Sequence, residues 1–91
     1  MSDENEKHCY IISYDIKEES SAKIIEKIKK TAWAHITEST WAVLTNEKVA
    51  DLRTRLATEL PPGSRLFVIR SGGVAAWRNV LCSNEWLKKY V

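Results

Sequence analysis

Apolar residues change their spacing along the chain, and each change predicts an element. Cys9-Tyr10-Ile11-Ile12-Ser13-Tyr14-Asp15 is a run of β-branched and aromatic residues that ends in a carboxylate. Such residues fit a pleated, half-buried surface, so this is a strand. Ile11 lies on one face and Tyr10, Ile12 and Tyr14 on the other, which predicts a central strand covered on both sides. From Ala22 to about Thr31 the period becomes helical. Ile24, Ile25 and Ile28, with Ser21 or Ala32 at the ends, form a buried face, and Lys23, Glu26, Lys27, Lys29 and Lys30 fill the other. Ser20 and Ser21 suit the cap of this helix, and Glu18 and Glu19 add negative charge near its start.

Trp33 to Thr45 is a second aromatic and β-branched block with a polar middle. It reads as two strands, Trp33–Thr37 and Thr40–Thr45, turning at Glu38-Ser39. One long bent strand is the alternative, because the turn lacks an Asn-Gly signature. Thr45 or Asn46 then caps a helix from Glu47 to about Leu60, with Val49, Leu52, Leu56 and Leu60 as its apolar stripe and Arg53 and Arg55 off it. Pro61-Pro62-Gly63 ends that helix and turns the chain. Arg65–Arg70 is a strand with apolar residues on both faces, again predicted to be central. Ser71-Gly72-Gly73 breaks it, more as a turn than as a phosphate nest. Val74 to Cys82 reads as an edge strand or as a loop reaching a partner. Ser83 caps a closing helix, Asn84 to about Tyr90, whose apolar face is Trp86, Leu87 and Tyr90.

The order strand, helix, strand, strand, helix, strand predicts an α+β fold. We expect a ferredoxin-like βαββαβ sandwich with a C-terminal extension, residues 1–8 forming a flexible terminus and residues 9–91 a single domain. Two helices cover one face of an antiparallel sheet, and the handedness of crossovers makes the first and last strands central neighbours. The other face then needs an occupant: a second subunit, nucleic-acid bases, or the C-terminal tail. Tyr10, Ile12 and Tyr14, with the Trp41-Val43-Thr45 or Thr40-Ala42-Leu44 set, are the side chains available to it.

Composition adds bounds. A chain of 91 residues makes one domain. It buries only ~60–65% of the surface its unfolded form exposes, so oligomerisation would help. Four Trp, three Tyr and one Phe leave much apolar surface to hide. The net charge is +2, and residues 1–8 hold three acids against one lysine, so the body is about +4. That suits a phosphate backbone but falls short of a dedicated nucleic-acid binder. No export signal and no bilayer-spanning apolar stretch are apparent, so we expect a cytoplasmic protein with no membrane partner. Cys9 and Cys82 lack metal-binding spacing and read as reduced thiols, Cys9 as a small buried hydrophobe.

Three residue readings bear on chemistry. Asp15 closes a central strand, a common place for a reactive acid and equally a common turn position, since Asp bonds its own backbone. His35, mid-strand, reads first as a half-buried residue with locally satisfied nitrogens, and His8 as a solvated one. The lysine-rich helix face serves solubility before it serves phosphate contact.

Tyr14-Asp15-Ile16 at the end of strand one, in this element order and near this length, resembles the small CRISPR-associated endonuclease family of spacer adaptation. The likeness is closest to its divergent SinR-like members, with virulence-associated protein D toxins a related branch. Ser39-Thr40-Trp41 resembles the family's Ser-aliphatic-aromatic start of the third strand, and Trp86-Leu87 resembles a SinR-like feature. The likeness runs from Tyr10 to Leu87 through short motifs.

The resemblance implies a symmetric homodimer whose strand-one aspartates share a divalent metal, Mg²⁺ with Mn²⁺ as the alternative. That metal would activate water to cleave RNA or DNA phosphodiesters. Carried over, Asp15 is the metal ligand and a catalytic residue, with His35 or Ser39 helping to place the phosphate. Glu38 and Ser39 are the only further ligand candidates. Tyr14, Arg70 and Arg78 are the expected nucleic-acid contacts. The chain departs from the family at His35, where an Arg is common, and at Gly63-Ser64-Arg65, where an Asp often leads into strand four.

Two further readings compete with the nuclease. One is a non-catalytic module stacking bases on Tyr10, Tyr14 or Trp41. The other is a dimeric scaffold or toxin–antitoxin-type protein that makes contacts through Trp77 and Trp86.

Overall fold

The order of strands across the sheet places every side chain of interest. The computed structural model describes residues 6–17, 20–58 and 60–91. Residues 1–5 of the expected flexible terminus, and the helix-start acids Glu18 and Glu19, lie outside the described residues. The elements are β1 (His8–Asp15), α1 (Ala22–Ile28), β2 (Ala32–Thr37), β3 (Thr40–Thr45), α2 (Val49–Ala57), β4 (Arg65–Arg70) and α3 (Asn84–Tyr90). The four strands form one antiparallel sheet in the order β2-β3-β1-β4, which with three helices makes an α+β fold.

Trp33–Thr45 is a hairpin. Thr37 pairs with Thr40 across Glu38-Ser39, and an irregularity between His35 and Thr37 shifts the register. β1 is central, as its double-faced apolar pattern predicts. β4 is not: it pairs only with β1 and lies at the sheet edge. The expectation of two central neighbours is therefore half corrected. The strands are neighbours, but β3 takes the second central place.

Face assignment follows from alternation along each strand. Tyr10, Ile12 and Tyr14 of β1 join Trp41 and Val43 of β3 against Ile24 and Ile28 of α1 and Leu52 and Leu56 of α2. Leu66 and Val68 of β4 pack at the margin of this cluster. The opposite face holds Cys9, Ala34 and Ala42, with Ile11 and Leu44 beside them, and Cys82, Trp86, Tyr90 and Val91 cover it. The tail is thus the occupant over this half of the sheet. Tyr10, Ile12 and Tyr14 belong to the helix side instead. The tail does not reach β4, where Phe67 is 59% and Ile69 50% exposed.

Element ends are set by local hydrogen bonding. Ser83 caps α3, its hydroxyl accepting from the Trp86 amide at 3.2 Å, as expected. Ser21 makes no side-chain cap for α1, because its own backbone is already helical (φ −79, ψ −16). α2 begins at Val49 after an extended Lys48, later than Glu47. Glu47 is drawn out of the helix by other partners: its carboxylate accepts from the Thr45 hydroxyl and twice from the Arg55 guanidinium, each at 2.9 Å. α2 stops at Ala57 rather than Leu60 because Thr58 turns to ψ 130. Gly63, at φ +86, follows Pro62 in a turn closed by the Ser64 amide on the Pro61 carbonyl at 3.2 Å. That positive φ is open to glycine without strain, and the turn delivers Arg65 to the start of β4.

The Glu47–Arg55 pair also ties the helices together, since Arg55 donates to the Lys27 carbonyl at the end of α1 at 2.8 Å. The Arg55 hydrogen bonds hold the Glu47 carboxyl below its usual range, outweighing a burial contribution in the opposite direction. A folded-state pKa below the unfolded one stabilises the fold above the unfolded value of about 4.3. That stability is lost as pH falls through the lower folded value. Urea unfolding between pH 7 and pH 3 should therefore lose stability more steeply in the natural protein than in Glu47→Gln. Parallel pH profiles for the two would show that the pair contributes nothing.

Candidate functional site at the end of the first strand

Asp15 closes β1 on the face opposite Tyr14, the same face as Ser13. The register sets it against Arg65, and the Arg65 guanidinium donates to the Asp15 carboxylate at 3.1 Å. Both side chains are open to solvent, 74% and 81% exposed, so the pair is highly screened. Around it lies a cleft of about 500 Å³ whose walls include Lys17, Ser20, Pro61 and Gly63. Arg65 lies fifty residues from Asp15 along the chain. Its position opposite an acid follows only from strand pairing.

The other expected site residues divide by place. Ser39 lies in the hairpin turn at the same end of the sheet. Its carbonyl accepts from the Tyr14 amide at 3.1 Å, one residue from Asp15. His35 is on the other face, stacked on Trp41 with centroids 3.9 Å apart and planes 11° apart. One of its ring nitrogens, Nε2, lies 3.1 Å from the Glu38 carbonyl. That is the locally satisfied histidine of the residue reading, and the sheet separates it from Asp15. Tyr14 is buried beneath the helices, where its hydroxyl accepts from the Trp41 indole at 3.2 Å. Base stacking on Tyr10, Tyr14 or Trp41 would require those rings to leave the core.

Arg70 ends β4 at the far end of the β1–β4 pair and contacts His8. Arg78 is exposed in the segment after β4, which carries no strand. Trp77 of that segment donates from its indole to the Asn84 side chain at 3.0 Å. Three of the residues singled out thus share one end of the sheet: Asp15, Ser39 through its backbone, and the new member Arg65. Cys9 is a buried thiol whose pKa desolvation pushes up to about 11, so it is a poor nucleophile at neutral pH.

A metal has few protein ligands here. Among the described residues no three His, Cys, Asp or Glu side chains gather to hold an ion. Among the described residues one chain offers only Asp15 as a carboxylate in this cleft. A hard divalent ion that keeps several waters accepts one or two carboxylates, so the donor set fits only where two copies bring two Asp15 side chains together. No helix among the described residues is long and apolar enough to cross a membrane. No protein-family model matches the chain, and no curated protein matches it.

Proposed function

We propose that this protein is a homodimeric, divalent-metal-dependent endonuclease in which Asp15 of each subunit faces its counterpart, in a ferredoxin-like βαββαβ arrangement. The observation that carries the reading is the setting of Asp15. It is an exposed acid at the end of a central strand, on the sheet face where Phe67 and Ile69 lie uncovered beside it. An uncovered apolar flank next to an exposed acid suits a second copy, because a two-fold axis there would hide the apolar residues and double the carboxylate. The likeness of Tyr14-Asp15-Ile16 and Ser39-Thr40-Trp41 to the spacer-adaptation endonucleases and their SinR-like relatives supports the same reading. The alternation of strands and helices supports the fold assignment.

In this reading the two Asp15 carboxylates hold Mg²⁺ or Mn²⁺, which when bound lowers the pKa of a coordinated water and offsets phosphoryl charge. Arg65 is placed to leave Asp15 and take a phosphate oxygen, since its planar fork suits both anions. Lys17 in the same cleft adds positive charge for an RNA or DNA backbone.

One observation favours a second reading. Asp15 already has a cationic partner in Arg65, so a dimer could be held by Asp15–Arg65 pairs with no metal at all. That describes a non-catalytic scaffold, a nucleic-acid-binding protein, or a toxin–antitoxin-type protein of the same fold.

The deciding experiment compares the natural protein with Asp15→Ala on labelled single-stranded RNA and double-stranded DNA, with Mg²⁺, Mn²⁺ or chelator, alongside light scattering. Metal-dependent cutting by a species of twice the chain mass, reduced to background in the variant, is the expected result. A stable dimer with no cutting moves the assignment to the scaffold reading. Equal cutting by both proteins sinks the role of Asp15.

A further inference from the structure

The strand end remote from Asp15 carries a second cleft of about 610 Å³, between the start of β1, the end of β4 and the start of α2. At about 3.3 Å per residue, the seven steps from His8 to Asp15 separate the two clefts by about 23 Å. Its floor is apolar, formed by Tyr10 and Val68, and its rim carries the exposed Val49 with the basic Arg70, Lys48 and His8. The charges do not cancel. Arg70 Nη2 lies 2.9 Å from His8 Nδ1. A guanidinium only donates, so the ring nitrogen is the acceptor of this contact. Arg70 therefore leans on a histidine ring and has no carboxylate opposite it among the described residues. The acid in the lining, Glu47, is already engaged by Arg55 and Thr45. Lys48 makes no ion pair among the described residues.

We propose that this cleft binds a nucleoside 5′-monophosphate group, its phosphate on Arg70 and Lys48 and its base over the apolar floor. A guanidinium with no carboxylate partner among the described residues keeps further N–H groups, beyond the one on His8, for a phosphate oxygen. The adjoining lysine supplies a point charge. A simple anion would leave the apolar floor wet, whereas a flat base covers it. The volume falls in the range of about 300–1,000 Å³ typical of small-molecule sites. The group has two sources: a free nucleotide, or the 5′-phosphorylated end of a strand.

Calorimetry in chelator separates these outcomes from any cleavage. The probes are adenosine 5′-monophosphate, adenosine, inorganic phosphate, and one short oligonucleotide with or without its 5′-phosphate. The monophosphate should bind, adenosine should not, and phosphate should bind at least about tenfold more weakly. Arg70→Gln should weaken the monophosphate at least about tenfold. Lys48→Gln, at an exposed position, should weaken it in the same direction. Tighter binding of the 5′-phosphorylated strand than of its 5′-hydroxyl twin names the strand end as ligand. Binding of the mononucleotide alone names the free nucleotide. No binding of any probe, equal binding of adenosine, or binding unchanged in both variants overturns the proposal.

Discussion

Trp41→Ala should lower the unfolding free energy by about 3–5 kcal/mol, the usual cost of emptying a buried Trp site. The whole domain has roughly 5–14 kcal/mol to lose, at roughly 0.05–0.15 kcal/mol per residue. Trp41 is 3% exposed on a central strand and packs with Tyr14, Val43 and the two helices. Its indole donates to the Tyr14 hydroxyl. His35 lies flat against it, Trp33 tilts towards it with centroids 5.4 Å apart, and the Lys29 ammonium sits 5.8 Å from its ring centre. Truncation therefore leaves a cavity and deprives a buried hydroxyl of its donor. Sheet pairing on both sides of β3 keeps the backbone from collapsing into the space. Trp41→Phe keeps most of the ring and loses the indole donor, so it should cost about 1–2 kcal/mol. Urea unfolding followed by far-ultraviolet circular dichroism measures both. A loss below about 1.5 kcal/mol for the alanine variant would mean that this aromatic group is not the hub of the core.

Ile12→Ala should cost about 2–5 kcal/mol, while Ile69→Ala should stay within about 0.5 kcal/mol in the isolated chain. The two isoleucines look alike in the sequence, each in the middle of an apolar strand. Ile12 is fully buried under both helices, whereas Ile69 is half exposed on the uncovered side of the edge strand. Unfolding at two protein concentrations gives the comparison a second use. The Ile12 effect should not depend on concentration. An Ile69 effect that appears only at the higher concentration places that residue under a second copy, as the dimeric reading requires. Equal costs for both variants at low concentration would contradict the edge position of β4.

Element types and their order were legible because they depend on neighbours a few residues apart. The alternating run before Asp15, the three-to-four spacing of Ile24, Ile25 and Ile28, the Pro62-Gly63 turn and the Ser83 cap each act within one turn or one strand. The shortened helices were less legible. α2 starts late because Glu47 is held by Arg55, eight residues on, and by Thr45. The candidate site was legible at Asp15, as a strand end with two meanings, and at Ser39 in the hairpin turn, but not at Arg65.

What the sequence by itself determined is this list of elements, the opposed parity of Tyr14 and Asp15, and the residues able to fill a core. Only the tertiary structure decided which parity faces the helices, and so buried Tyr14 while leaving Asp15 in solvent. It also decided that β4 is an edge, although Arg65–Arg70 reads as apolar on both faces. Alternation records two faces but not which layer covers each, and it does not say whether a strand has one neighbour or two. Those answers come from pairing across long chain separations, the same register that sets Arg65 against Asp15 and carries Arg70 to His8.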